Sequence, residues 1–511
     1  MDQIITIDGA PLSFAKIAAI GAAKGTIAVD AAAMARVGAA REVVEERIAS
    51  GMPVYGATTG VGAMKDVSWT PDEYETFGMG LVRAHHFGTG APFPIHTIRT
   101  AMAIRVNTAL TGRVGCSTDL VDVFLGLLRE DVVPVVRRTG SIGCADIGLM
   151  GQIGAVLTGV GEAYRGNRRL SAREALAEAG LAPARLKPRD SLASISVNAV
   201  AFAAAADAIR EGATVLRVLL ATSLTTAGAL GASRQPWRAV AEVGTEHEAR
   251  IGGWLSENAR GWDWPHATHI QDPLSLRMMA QVFGAAFQSL TIAGETVLAA
   301  TGRTDDNPVV IGDEVLTSGG SLPLDVTIQM QAAQLALAHA ARNSFNRCVL
   351  LGNGARRDLP INLVPPGVIA TGFGPIIKLA GELFARVLSM TNPVSPQSLV
   401  VAGGLEDEAA FLPLVVERFE RQVRALKRLA ALEGLLSAQA MDILGDRPGG
   451  VPKMIYDLVR DHAAIYTVDR PLSSEVEAIE SDLGSRTAVR ELISLAPIPA
   501  VDDFFALWPV G

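Results

Sequence analysis

The chain has 511 residues, a formal charge of -8 at pH 7, 49% hydrophobic residues and only 5% aromatics. A net acidic chain with no basic face does not suit phosphate neutralisation, which argues against a nucleic-acid partner. Its Ala-, Gly-, Leu- and Val-rich texture favours packed helices over a β-sandwich. The three cysteines, Cys116, Cys144 and Cys348, form no CxxC and no Cys/His grouping at metal spacing, so reduced thiols and no metal site are expected.

In chain order, Met1-Asp2-Gln3 begins no basic and then apolar secretory signal. The longest uncharged stretches, near 147–161 and 218–233, are too short or too glycine-broken to cross a bilayer. A soluble cytoplasmic protein without a membrane partner is the expectation. Up to Leu192, short helical patterns alternate with Gly- and Pro-rich loops at 51–56, 88–94 and 140–143. Loops between packed helices are where chemistry is usually mounted.

From Asn198 the texture changes to long apolar runs at 198–230, 278–300, 325–351, 374–390 and 412–444. In the last of these Val416, Phe419, Val423, Leu426 and Ala430 recur at spacings of three and four, the stripe of a bundle helix. The expected organisation is a loop-carrying domain over 1–195 and an elongated helical bundle over 196–511, with turns and short helices after Pro471. The 198–230 run carries only Asp207, Arg210, Glu211 and Arg217 as charges. A single chain is expected to struggle to cover it, which predicts a homo-oligomer.

Six motifs follow one another: VYGATTGVG at 54–62, LVRAHH at 81–86, TGSIGCADIG at 139–148, QDPLSLR at 271–277, TDDNP at 304–308 and SGG at 318–320. As an ordered set they resemble the histidine and aromatic amino acid ammonia-lyases. The resemblance implies a mainly α fold with a long central helical bundle, and a carbon-nitrogen lyase acting on a small amino acid or betaine. It also implies a homotetramer whose sites draw loops from more than one subunit. It puts the family's catalytic tyrosine on Tyr55 and substrate contacts on His85, Gln271, Arg277 and Asn307.

The departures from the family pattern are as orderly. Members build a methylidene-imidazolone electrophile (MIO) from Ala-Ser-Gly, where this chain has Cys144-Ala145-Asp146. Ala145 has no hydroxyl to eliminate. The family's second tyrosine is Leu274, its Asn is Ser196, its Phe-His pair is Leu322-Pro323, and a late glutamate is Arg386. The chain therefore resembles the MIO-lacking, ergothionase-like branch, which expels trimethylamine from a histidine betaine.

On that reading no cofactor is expected. Tyr55 acts as base, its phenol lowered by cations such as Lys378 or Lys65, and Arg277 grips a carboxylate. Glu406 or Glu408 handles an imidazole-type ring, and Asp146 faces a quaternary nitrogen. Ser196 and Arg386 complete the expected substrate contacts. Plain alternatives stand beside these. Tyr55 can be a loop anchor, Arg277 can pair with Asp272, and one of His85 and His86 can be a packing histidine. Lys378, Glu382 and Arg386 at i, i+4 and i+8 fit a solvated ion-pair ladder. Asp146 can cap a helix beginning at Ile147, and Cys144 can be a small buried residue. Two further functions remain: an atypical electrophile from Gly143-Cys144-Ala145 by loss of hydrogen sulfide, preserving ammonia-lyase or aminomutase chemistry, and a non-catalytic homologue.

Overall fold

The computed structural model describes residues 4–508 apart from Gly261, Thr268, Ala355 and Ser398. The reading of Met1-Asp2-Gln3 lies outside the described residues. Five long helices, Ala199–Ala229, Met279–Ala300, Leu324–Gly352, Gly374–Ser389 and Leu412–Leu444, form the bundle. Their ends fall within a residue of those predicted. The architecture is mainly α, with short strands confined to small two- and three-stranded sheets.

The Leu412–Leu444 helix packs along Ala199–Ala229 and Leu324–Gly352, and Leu324–Gly352 also contacts Met279–Ala300 and Gly374–Ser389. All five residues of the predicted 416–430 stripe are buried, as a 3.6-residue period requires of one helix face. Alanines dominate the first half of Ala199–Ala229, and they let neighbouring helices approach closely. Buried ion pairs fix how the helices sit against one another. Arg347 bonds Glu433 at 2.6 Å across two bundle helices, and Arg217 bonds Asp502 at 2.8 Å. Removing one partner of such a pair costs roughly 3–5 kcal/mol.

The oligomer expectation needs correcting in its reasoning. The Ala199–Ala229 helix is covered within a single chain, by Leu412–Leu444, Ile95–Ala109, Met279–Ala300 and Gly450–His462. Surrounding elements, not a second copy, explain why it is apolar nearly all round. Among the exposed apolar side chains are three on two neighbouring helices, Ile292, Ile328 and Leu335, at 40%, 49% and 53%. Two helical stretches, 190–229 and Met279–Ala300, are long and apolar enough to cross a membrane by composition. Reading uncharged runs alone cut them short, because Asp207, Arg210, Glu211 and Arg217 interrupt the first and Glu295 the second. Of the two, 190–229 is enclosed by the core.

The small sheets tie the loops to the bundle. Strand Thr89–Pro92 pairs antiparallel with Arg137–Thr139, which sets the chain after His85 beside the glycine-rich 140–146 loop. The hairpin Val309–Ile311/Glu314–Leu316 closes the TDDNP segment.

Candidate active site

The 140–146 loop is held from three sides. Phe411 N–H donates to Ile142 O at 2.9 Å, Ala145 N–H donates to Ser321 O at 3.0 Å, and Val197 N–H donates to Ala145 O at 3.0 Å. Gly143 has φ +76°, and a Cβ there would lie 2.5 Å from Phe411 N, so glycine is required. Ala145 and Asp146 both adopt left-handed backbone, with φ of 60° and 43°. That conformation costs an L-residue roughly 1–2 kcal/mol, and here the surrounding hydrogen bonds impose it.

Asp146 corrects two expectations. Its carboxylate is buried and accepts from Ser141 Oγ at 2.7 Å and from Ala201 N–H at 2.9 Å. It occupies the N-cap position of the Ile147–Leu157 helix, but its side chain makes no capping bond there, and it presents no open carboxylate to a ligand. It staples the loop to the first turn of Ala199–Ala229. Burial pushes its acid up to about 7, opposed by those two hydrogen bonds.

A second buried carboxylate supports the loop. Asp305 accepts from Asn198 N–H and Asn198 Nδ2, each at 2.8 Å, and the same Nδ2 donates to Ser321 O at 2.8 Å. Burial and then the Asp306 charge push Asp305 up to about 6. Asp306 itself bridges Arg105 and Arg189, at 2.8 Å to each. These residues were not singled out from sequence. Asp305 lay unread inside TDDNP, and Asn198 was read only as a helix boundary.

Above this support sit Tyr55, Cys144 and Glu406. The Tyr55 phenol oxygen accepts from Gly62 N–H at 3.0 Å. Burial raises its pKa above the ordinary phenol value, and Glu406 and Cys144 raise it further, while the Gly62 N–H acts against them. Cys144 Sγ is 3.5 Å from Ser321 Oγ, and burial pushes its thiol up. Glu406 reaches this cluster because the turns Gly62–Met64 and Ala402–Gly404 pack together. Glu408 is exposed within the single chain, whereas Glu406 is half-buried.

His85 and Ser196 border the same loop. His85 Nδ1 lies 2.7 Å from Leu81 O, so that nitrogen carries the proton in the neutral ring and Nε2 is left as an acceptor. Its backbone lies against Gly151, where a Cβ would meet His85 O at 2.3 Å. His86 instead packs on Gly161. Ser196 ends the Asp190–Ile195 helix and directly precedes the Val197 N–H that holds Ala145.

Other expected residues are not brought to the cluster within one chain. Gln271 and Leu274 are exposed. Arg277 does not pair with Asp272; that carboxylate bonds Arg356 and Ser233 N–H, each at 2.6 Å. Among the described residues Arg277 makes no ion pair, and its Nε has no hydrogen-bond partner. Lys378 is exposed, and so is Arg386, which bonds Glu382 at 2.9 Å in a surface i, i+4 pair. Asn307 Oδ1 accepts from Ser318 N–H at 2.9 Å, which ties the two ends of the 309–316 hairpin together. Lys65 pairs with Asp66 at the surface, so the cations expected to lower Tyr55 are absent from its surroundings among the described residues.

The aromatic amino acid lyase family profile matches residues 12–461. The chain belongs to this family. It is accordingly a carbon-nitrogen lyase of the ammonia-lyase group. It is 30% identical over 506 residues to a histidine ammonia-lyase of Stigmatella aurantiaca, covering 95% of this chain and 99% of that protein. Among solved structures, the ergothioneine-degrading enzyme ergothionase of Treponema denticola, in complex with desmethyl-ergothioneine sulfonic acid, superposes with a TM-score of 0.91. The two are 26% identical, and the match covers 94% of this chain and 98% of that one. A tyrosine aminomutase from Streptomyces globisporus superposes with a TM-score of 0.90 at 22% identity, covering 97% and 99%. That last similarity is one of fold.

Proposed function

We propose that this lyase expels a tertiary amine, trimethylamine, from a histidine-derived betaine such as ergothioneine, and that it does so without an MIO group. The observation that carries this reading is the loop at 143–146. Ala145 has no leaving group from which to form a dehydroalanine. For the alternative triad Gly143-Cys144-Ala145, ring closure must join Ala145 N to the Gly143 carbonyl carbon. Ala145 N–H is instead committed to Ser321 O, and Gly143 O accepts from Ala410 N–H at 3.4 Å. The residues present do not fit the prosthetic group, and no step is routed through it.

A betaine makes the group unnecessary. Its quaternary nitrogen has no lone pair to attach to an electrophile, and it departs as a neutral amine. Tyr55, as phenolate, takes a β-proton; the C–H electron pair forms the Cα=Cβ bond, and the Cα–N pair leaves with the amine. The Gly62 N–H stabilises the phenolate oxygen. The buried phenol needs a nearby positive charge to ionise, and the substrate's own fixed cation supplies one. Glu406, adjacent to Tyr55, exchanges a proton with the imidazole-type ring, which accepts electron density as the β-proton leaves.

We assign the carboxylate clamp to Gln271 and Arg277, with Lys378, from another copy of the chain. The lyase then works as a cytoplasmic homotetramer. Residues 1–195 mount most of the loops and 196–511 form the assembling bundle. The unburied apolar surface on Met279–Ala300 and Leu324–Gly352 supports that assembly.

The test incubates purified protein with ergothioneine, hercynine, histidine, phenylalanine and tyrosine, following a conjugated acrylate by ultraviolet absorbance and the released amine directly. A betaine should yield trimethylamine, and the primary amino acids should yield no ammonia. Intact mass distinguishes the Gly143-Cys144-Ala145 alternative: the sequence mass supports the proposal, and a mass lower by hydrogen sulfide plus water contradicts it.

A further inference from the structure

We infer that the helical hairpin Gln235–Val243/Glu246–Asn258 carries a binding site for a small, multiply charged oxyanion, of the kind presented by a phosphate ester or a di- or tricarboxylate. A cavity of about 350 Å³ lies between the start of the first helix, the end of the second and the 264–267 segment. Its charged and ionisable lining is Arg234, Arg238, Arg260 and His266, with no acidic side chain. An outer lobe of about 570 Å³ shares Arg238, Ser256 and Arg260 and adds Glu242 and Glu257.

The arginines are not accounted for by internal pairing. Among the described residues the Arg234 side chain donates only to the Ala259 carbonyl, at 3.3 Å. Among the described residues, the side chains of Arg238 and Arg260 make no hydrogen bond or ion pair, including with the two glutamates of the outer lobe. All three guanidinium groups are exposed, so water screens their mutual repulsion, and an anion seated between them lowers it further. Guanidinium groups offer planar pairs of N–H donors that match phosphate and carboxylate oxygens.

A second, independent observation points the same way. Ser256 is only 7% exposed and lines both lobes, yet its hydroxyl has no hydrogen-bond partner. A buried hydroxyl without a partner is unfavourable, and a turn of the Ser256 side chain toward the cavity would let an oxyanion oxygen accept from it. The cavity is tied to the 271–277 segment: Ser233, which lines it, donates its N–H to Asp272 at 2.6 Å, and Trp237 of the hairpin donates Nε1–H to Leu276 O at 3.0 Å. The ligand therefore lies next to the proposed clamp segment.

Isothermal titration of the full chain with inorganic phosphate, pyrophosphate and citrate, at ionic strength held constant with chloride, tests this. Saturable binding of at least one is expected, weakened roughly tenfold or more by Arg238→Ala/Arg260→Ala and less by Ser256→Ala. Preference for pyrophosphate or phosphate identifies a phosphate ligand, and preference for citrate a polycarboxylate. If the double alanine variant melts early by circular dichroism, Arg238→Lys/Arg260→Lys keeps the charge, loses the planar fork and should also bind more weakly. No saturable heat with any of the three, or equal affinity in the wild type and the folded double variant, overturns the proposal.

Discussion

The base side and the clamp side of the candidate site are built differently. Around Tyr55 a single chain already supplies a half-buried cluster, with Gly62 on the phenol, Cys144 and Glu406 beside it, and a hydrogen-bonded base of Asp146, Asn198, Asp305 and Ser321. The 271–277 and 374–389 regions present Gln271, Lys378 and Arg386 on the surface, and leave the Arg277 Nε without a partner among the described residues. One side is finished within the chain and the other is offered outward. A guanidinium nitrogen withdrawn from water yet unbonded is unfavourable unless something else completes it. The contrast therefore supports a site assembled from more than one copy.

The largest effect is expected where the finished side does its chemistry. Tyr55→Phe should lower turnover by about 10³-fold, in the range of a lost general base, while thermal stability measured by calorimetry changes little. Because burial holds the phenol above its ordinary value, the active, deprotonated form grows as pH rises. kcat/KM should climb through the neutral and mildly alkaline range, and a profile falling over that range would contradict the assignment.

On the outward side, Arg277→Ala should lower kcat/KM by roughly 10²-fold, the scale of a lost charge-assisted clamp. Mixing the weakened Tyr55→Phe and Arg277→Ala chains by co-expression sharpens the contrast. Activity should reappear if base and clamp come from different copies, because some mixed sites then contain both native residues. No recovery in verified mixed oligomers would place both in one chain. Ile328→Asp/Leu335→Asp should shift the species seen by light scattering toward smaller assemblies, with activity falling in parallel.

Much of this was legible beforehand. The five bundle helices were recoverable because their apolar residues repeat with the helical period over long spans, as in the 416–430 stripe. Tyr55, Glu406 and the loop carrying Cys144 were found through local motifs. Asp305 and Ser321 escaped notice because their role is set by contacts over 100 residues away in sequence, to Asn198, which no local pattern records. The role of Asp146 was misjudged for a related reason: position before a helix matches a cap, but its left-handed backbone turns the carboxylate toward Ser141 and Ala201. The oligomer argument rested on average apolarity, which cannot distinguish a helix covered by its own chain from one awaiting another.

Smaller effects test the support beneath the loop. Asp146 is raised from its ordinary range to about 7, so the folded state binds a proton that the unfolded chain releases near pH 4. Its contribution to stability is full below the unfolded value and is lost as pH rises through about 7. Asp146→Asn keeps an acceptor without the buried charge, and should therefore gain stability relative to the wild type between pH 5 and about 8. A pH-independent difference in melting temperature would contradict this. Cys144→Ala should be the mildest change, leaving amine release within about twofold of the wild type, because no step of the proposed elimination uses the thiol.

The central claim is that the nitrogen leaves unaided, as a tertiary amine. Parallel quantification of trimethylamine from ergothioneine and ammonia from histidine, with the same enzyme preparation, tests it most directly. Stoichiometric trimethylamine with no ammonia is the predicted result; ammonia from histidine with no trimethylamine from the betaine would contradict it.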